Sequence, residues 1–432
     1  MASLSQHAVS RRLLVETPVA SVFPTYKFET RVDVALLAFA LFLQRFGVPF
    51  FHTFLTFDLV FIALIFSHQF GSGRLFIQYD RLLWFLVVVL AATSSLLLNF
   101  ESRMLTSYGL FVLTYSMFTL SRPSSLYQYK RTLQGFQFLV LILSCLAIAQ
   151  FIAQFVVDGR KLIMFYGIVP HFFFAPLQNS GIYSESSIIK SNGIFLAEPS
   201  TMSQIAALGI LIEVLEFRRP RYLIVLTLGL LLAYSGTGIT MLLISLPLAF
   251  LVNRKAQLPV FVVSIFALGL LATGIIHLSA FTSRFGEFQD TNTSGFGRFV
   301  SPFWMAADYF SHVSLGQILF GNGPGGIGFV PNAGDLRYHG SGNAWFNLIY
   351  YFGIIGAFVF VCFFVSCFRR SRCPRPLLVA LIYYQWVIGN IIGTDALIMM
   401  VVFCTLNGPE PRRRADEPGQ YPSSLVTRST AG

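Results

Sequence analysis

Charged side chains are scarce in this chain. Only 11% of its 432 residues are Asp, Glu, Lys or Arg, and 55% are hydrophobic; an average soluble domain carries about 25% charged residues. A soluble core cannot absorb that much apolar side chain, which excludes an ordinary water-soluble globular protein. Cysteine is sparse too. The five present (Cys145, Cys362, Cys367, Cys373 and Cys404) show no CxxC spacing and fall in apolar runs or beside basic clusters. That excludes a disulfide framework and a thiolate metal site. The polar segments hold no Asp-x-Asp and no paired-histidine spacing, so neither metal nor cofactor is expected. The first 33 residues lack the charged start, apolar middle and small-residue cleavage site of a secretory signal, and no processing is expected.

What the chain does have is long apolar runs. Residues 82–100, 135–157 and 258–281 are each near the roughly 20 residues a helix needs to cross a bilayer. Backbone polar groups in lipid must be paired within the segment, so these runs are helices. The expected fold is all-α and polytopic, with about 12 transmembrane helices near 33–50, 54–70, 82–99, 104–120, 135–157, 200–217, 222–235, 238–252, 258–281, 343–368, 376–392 and 395–406. The uncharged stretch 222–252 is too long for one span and divides at Ser235-Gly236-Thr237-Gly238, as 377–406 does at Gly393-Thr394-Asp395.

The Lys and Arg residues test this count. Twenty-two fall on the side of the N-terminal tail and 7 in the opposite segments, with Arg45 inside a span. The positive-inside rule then puts both termini in the cytoplasm of a bacterial inner membrane. The resulting organisation is a cytoplasmic tail (1–32), helices 1–5 (33–157), a periplasmic loop (158–199), helices 6–9 (200–281), a large periplasmic loop (282–342), helices 10–12 (343–406) and a cytoplasmic tail (407–432). The net charge of +11 follows from this asymmetry and calls for no nucleic acid.

The two outer loops are too long to be mere connections, and their aromatic residues argue against disorder. Phe165, Tyr166 and Phe172 to Phe174 in the first, with Phe296, Phe299, Phe303, Trp304, Tyr309 and Phe310 in the second, predict structure folded back on the membrane surface. The same loops collect polar side chains on one side: Lys190 and Glu198, then Arg284, Arg298, Asp308, His312, Arg337 and His339. Charge inside the spans is rare. Arg45 and Asp58 near outer ends and Glu213 near an inner end are explained by ion pairing or snorkelling.

From residue 297 the pattern sharpens. Gly297-Arg298-Phe299 and Trp304-Met305-Ala306 are followed by Gly321-Asn322-Gly323-Pro324-Gly325-Gly326, then Asn343-Ala344-Trp345-Phe346-Asn347-Leu348 and, with nine residues between it and Asn343, Gly353-Ile354-Ile355-Gly356. This order resembles the Wzy-type polysaccharide polymerase and O-antigen ligase superfamily. Asn192-Gly193-Ile194-Phe195-Leu196-Ala197-Glu198-Pro199-Ser200 is similar to the segment before the middle spans of exopolysaccharide polymerases, the GumE-like xanthan polymerases in particular. The likeness covers about 192–368 and leaves the first five spans to hydropathy. In the ligase branch a histidine directly precedes the asparagine; here that position is Gly342 and the nearest histidine is His339. Where many relatives carry an arginine after the serine of the short outer turn, this chain has Gly236.

Each motif also admits a plainer role. The glycine-rich turn lacks the Gly-Lys-Ser/Thr ending of a nucleotide loop; it is a tight turn or a nest of N–H groups for a diphosphate. Gly353-x-x-Gly356 reads as close helix packing. Ser200 and Thr201 read as helix caps.

The resemblance implies a GT-C-like, metal-independent glycosyltransferase that polymerises polyprenyl (undecaprenyl) diphosphate-linked oligosaccharide repeat units, as donor and acceptor, at the periplasmic face. Its partners would be membrane lipids and the flippase, chain-length and export proteins of the same pathway. Diphosphate is already a good leaving group, so the enzyme must neutralise its charge and position the acceptor hydroxyl. Arg298 suits the first task, with Arg284, Arg337, Asn343 and Lys190 as substrate-binding candidates. His339 and Glu198 are the alternatives for taking the proton. The rival readings are O-antigen ligase-type transfer, a non-catalytic assembly subunit, and a transporter or flippase of the lipid-linked sugar, which would call for internal repeats and mid-membrane ionisable groups.

Overall fold

The computed structural model describes residues 26–50, 53–100, 102–157, 170, 173, 189–252, 289, 294–325, 343–389, 391 and 393–408. These residues are mostly helical. α1 (Tyr26–Phe42) leads into a hairpin of β1 (Gly47–Phe50) and β2 (Thr53–Thr56). There follow α2 (Phe57–Gly71), β3 (Phe76–Ile77), α3 (Tyr79–Leu98), α4 (Ser102–Ser116), β4 (Leu120–Pro123) and α5 (Leu126–Ala153). α6 (Pro199–Ile212) runs on as a π-helix over Glu213–Phe217, ahead of α7 (Pro220–Leu232) and α8 (Gly236–Val252). Three short helices, α9 (Ser294–Phe299), α10 (Ser301–His312) and α11 (Leu315–Phe320), precede α12 (Ala344–Phe368). α13 (Arg375–Ile382) and α14 (Thr394–Met400) continue as π-helix over Tyr383–Ile388 and Val401–Leu406, and β5 is Asn407–Gly408.

Among the described residues four helices are long and apolar enough to cross a membrane: Tyr79–Leu98, Leu126–Ala153, Pro199–Phe217 and Ala344–Phe368. The surfaces of α3 and α12 fit lipid. On α3, Leu83, Leu86, Leu90 and Leu97 are exposed at helical spacing, while Phe85, Val88, Ala92 and Leu96 are buried. α12 turns Phe358, Val361 and Val365 outward and Phe360, Phe363 and Phe364 inward. In water each outward leucine would forgo about 2 kcal/mol of burial; against acyl chains it forgoes nothing.

The predicted breaks at 235–238 and 393–395 fall at the starts of α8 and α14, each overlapping by one residue the gap that separates that helix from the one before. The expected span 33–50 differs: its helix starts at Tyr26 and stops at Phe42, and Val48 and Pro49 pair with Leu55 and Phe54 as strands. Pro49 has no N–H for a helix, whereas its place on an edge strand needs none. The loop 282–342 also carries helix, and the capping box of Ser314 and Gln317 fixes the start of α11. The expected span 258–281, most of 158–188 and the tails before 26 and after 408 lie outside the described residues.

One end of the bundle is closed by a three-stranded sheet in which β4 pairs antiparallel with β3 and parallel with β5. Beneath it Arg122 and Asp33 form a buried ion pair. Asn407 bridges both, accepting from Arg122 (3.3 Å) and donating to Asp33 (3.1 Å), and the Thr132 hydroxyl donates to the same carboxylate (3.0 Å). Glu213 is paired there with Arg219, whose guanidinium lies 3.8 Å from the Tyr222 ring centroid.

Towards the other end α12 is interrupted. Gly353 sits in its middle at φ 67, ψ −176, a conformation essentially reserved for glycine. The carbonyls of Tyr350 and Tyr351 accept instead from the backbone N–H groups of Asn322 and Gly323, both at 2.9 Å. A Cβ on Gly353 would meet the Leu319 carbonyl oxygen at 2.3 Å, and one on Gly321 the Tyr351 oxygen at 2.3 Å. Asn99 donates to the Gly321 carbonyl (3.0 Å), and Gly323 N–H to Ser95 (2.8 Å). Burial pushes the Tyr309 phenol up to about 12, so it stays protonated and donates to the Gln317 carbonyl (2.8 Å). The glycine-rich turn is thus a tight turn wedged into a broken helix, and the Asn322 and Gly323 N–H groups are spent on it.

Gly353→Ala is expected to cost about 1–3 kcal/mol in backbone strain and a similar amount in steric displacement. It should appear as a lower thermal midpoint and less folded protein in detergent. An unchanged midpoint would mean that the break does not need glycine.

Candidate active site

The end away from the sheet gathers the polar residues. Its foundation is the turn before α6. Asn192 exchanges hydrogen bonds with Gln150 of α5 (both 3.0 Å), donates to the Leu196 carbonyl (2.8 Å) and accepts from the Ile194 N–H (3.1 Å). Those bonds hold Gly193 and Ile194 at positive φ, 65° and 69°, a cost for isoleucine of order 1 kcal/mol that the amide network offsets. Arg45 reaches across from the connection after α1 to the Ile194 carbonyl (2.7 Å), and the Ser191 N–H bonds the Leu232 carbonyl of α7 (3.1 Å). Lys190 lies at the edge of this turn, between Ile189, whose N–H bonds Gln154 (2.7 Å), and Ser191.

The turn delivers Glu198 to the N-cap position of α6, with Pro199 as the first helical residue. Glu198 makes no cap bond, and Ser200 is inside the first turn. The expectation that Ser200 caps the helix is therefore corrected: its hydroxyl donates to Glu198 Oε2 at 2.7 Å. Arg298, from the last turn of α9, forms an ion pair with the same oxygen and donates to Ser200 Oγ (3.2 Å). Among the described residues Arg298 Nη2 takes both contacts and Nε and Nη1 take none. Arg298 and Glu198 are 20% and 18% exposed, enough to meet a ligand. Asn343, buried at the N-cap of α12, donates its amide to the Arg298 carbonyl. The α12 start is fixed in turn by the Ala344 N–H on the Gly389 carbonyl (3.0 Å).

Two further layers back this pair. Thr237 at the start of α8 bonds Ser203 (3.1 Å), Ser235 (3.0 Å) and the Ser200 carbonyl (3.3 Å). The close crossing requires Gly238, where a Cβ would lie 2.2 Å from the Ser203 carbonyl oxygen. On the other side Tyr384, from the π-helical end of α13, donates to Asp395 of α14. Thr394 donates to Asp58 of α2 (2.5 Å), whose carboxylate also accepts the Leu59 N–H (2.7 Å).

Glu198, Arg298 and Asn343, picked from three separate motifs, thus meet at one place. Arg284, Arg337 and His339 lie outside the described residues. The Tyr384–Asp395 pair was missed; the available signal was a carboxylate within the apolar stretch 377–406. Among the described residues no group of three His, Cys, Asp or Glu is arranged to hold a metal.

A family model described as WcaD colanic acid polymerase matches residues 32–407. The match runs from within α1 to β5 and so takes in the first five expected spans, which the motifs left out. No curated protein matches the chain.

Proposed function

This chain belongs to the WcaD colanic acid polymerase family, a family of Wzy-type polymerases, and from that premise we propose that it polymerises lipid-linked repeat units at the Glu198–Arg298 site. The donor is a polyprenyl diphosphate-linked oligosaccharide and the acceptor the terminal sugar of another. The product is an exopolysaccharide, of the xanthan type on the likeness of the Asn192–Ser200 segment. The site lies at the periplasmic face of a bacterial inner membrane, in a bundle of about 12 spans with both termini cytoplasmic. A flippase supplies its substrate, and chain-length and export proteins receive its product.

The observation that carries this reading is the pairing of Arg298 with Glu198 and Ser200 across 100 residues of sequence. The acceptor hydroxyl attacks the anomeric carbon, and the bond from that carbon to the phosphate oxygen breaks with its electrons passing to the diphosphate. The Nε and Nη1 edge of Arg298 meets that charge as a planar fork. Nη2 meanwhile keeps Glu198 beside the reaction, where it takes the proton from the acceptor. Asn343 serves by holding the Arg298 backbone.

Radiolabelled repeat units supplied to the purified protein test the reading. Growth of a ladder of chains is expected. Transfer to a single acceptor would make the chain a ligase, and translocation without growth would make it a flippase.

A further inference from the structure

α10 keeps most of its aromatic residues on the outside. Ser301, Pro302, Met305 and Tyr309 face the bundle and are buried, whereas Phe303 is 66% and Trp304 51% exposed. The Phe303 ring leans on Trp345, in the first turn of α12, with ring centroids 5.2 Å apart. Phe303 follows shortly after Arg298 in the chain and Trp345 shortly after Asn343, and the Asn343 amide donates to the Arg298 carbonyl. Arg298 thus meets Glu198 with its side chain, while its backbone is fixed to the turn of α12 that carries Trp345.

Exposed rings in a membrane protein usually mean bilayer. α10 has 12 residues, too few for a span of roughly 20, so its rings are not the lipid face of a crossing helix. A helix that lies in the membrane interface is rich in Lys and Arg on its polar face; α10 has neither, and neither occurs between Arg298 and Arg337. Its ionisable groups besides Tyr309 are Asp308 and His312, which are spent on each other at 3.2 Å. A sugar fits no better. It needs polar groups around an aromatic face, and apart from the Trp304 indole the run 299–307 offers only Ser301, which is buried. What fits is a molecule with an anionic head at Arg298 and an apolar chain running away from it. We infer that Phe303 and Trp345, with Trp304 beside them, receive the prenyl chain of the donor where it leaves the diphosphate. The inference rests on the polymerase reading and adds to it a direction: the sugar end of the diphosphate lies toward Glu198 and α6, the lipid end toward α10 and α12.

The test is equilibrium binding of radiolabelled undecaprenyl diphosphate to the purified protein in detergent, competed with inorganic diphosphate or with phosphatidylglycerol, beside the chain-growth assay. Phe303→Ala is expected to weaken undecaprenyl diphosphate about tenfold, because apolar contact is lost, and to leave the competing strength of inorganic diphosphate unchanged. Phe303→Leu, which keeps an apolar surface, should bind about as tightly as the wild type. The thermal midpoint should hold in both, since the ring is largely exposed. In chain growth the KM for donor should rise in step while kcat stays. Undiminished binding by Phe303→Ala would overturn the inference, as would an equal loss of inorganic diphosphate. Phosphatidylglycerol that competes as well as undecaprenyl diphosphate itself would make the face an ordinary bilayer contact and overturn it too. A wild type that binds undecaprenyl diphosphate, loses it in Phe303→Ala and grows no chain would overturn the polymerase reading and leave the lipid site standing. Chain growth with the same KM for donor in wild type and Phe303→Ala would overturn this inference alone.

Discussion

Arg298→Lys is expected to slow chain growth by about 100- to 1,000-fold, the usual loss when one preorganised donor to developing negative charge is removed. The substitution keeps the positive charge and can keep an ion pair with Glu198, so the amount of folded protein should stay at the wild-type level. What it removes is the fork. In the present arrangement Nη2 is engaged by Glu198 and Ser200, and only a planar group has a second edge to offer the diphosphate at the same time. An ammonium must choose between the carboxylate and the phosphate. A lysine variant that polymerises at the normal rate would reduce Arg298 to a structural partner of Glu198 and would take the leaving-group role away from this site.

Glu198→Gln is expected to cost about 100- to 10,000-fold, the range of general acid-base catalysis, and more than His339→Ala. Glutamine still accepts from Ser200 and fills the same volume, but it cannot carry off a proton. From the sequence His339 has a narrow lead over Glu198, because in the ligase branch a histidine directly precedes this asparagine. The contact of Glu198 with Arg298 moves the expectation to the carboxylate, which already lies beside the group that meets the diphosphate. The reverse ranking would return the role to His339. Full activity in both variants would mean displacement driven by the leaving group and the arginines alone. Rates should be read as chain length against time, with accumulated lipid-linked repeat unit as the complementary signal.

The legible part of this molecule was the part written in local pattern. Among the described residues apolar runs gave the four long apolar helices and the divisions ahead of α8 and α14, and the conspicuous residues Glu198, Arg298 and Asn343 could be picked one by one. Their meeting could not, since 100 and 45 residues separate them from one another and no local rule encodes the distance. Asp395 was lost for a different reason: Gly393-Thr394-Asp395 reads as a turn, and in the fold it is both a turn and, through Asp395, the partner of Tyr384. Ser200 follows a proline and so resembles a cap, but Glu198 occupies that position. The hairpin over β1 and β2 was read as helix because short apolar runs carry no period long enough to tell strand from helix. Gly353 reads as a packing glycine, and a Cβ there would meet the Leu319 carbonyl oxygen at 2.3 Å; that it also breaks the helix rests on its backbone angles, and angles are not written in composition.

The sheet that closes the opposite end has a consequence for how the protein is made. Asp33 and Arg122 emerge early from the ribosome, but Asn407, which bridges them, comes 374 and 285 residues later. Throughout synthesis of the intervening helices the pair is without its amide, and β4 lacks the parallel neighbour that β5 provides. The early helices therefore enter the membrane as an unfinished assembly, and β5, the last of the described strands, completes polar contacts begun near the start of the chain.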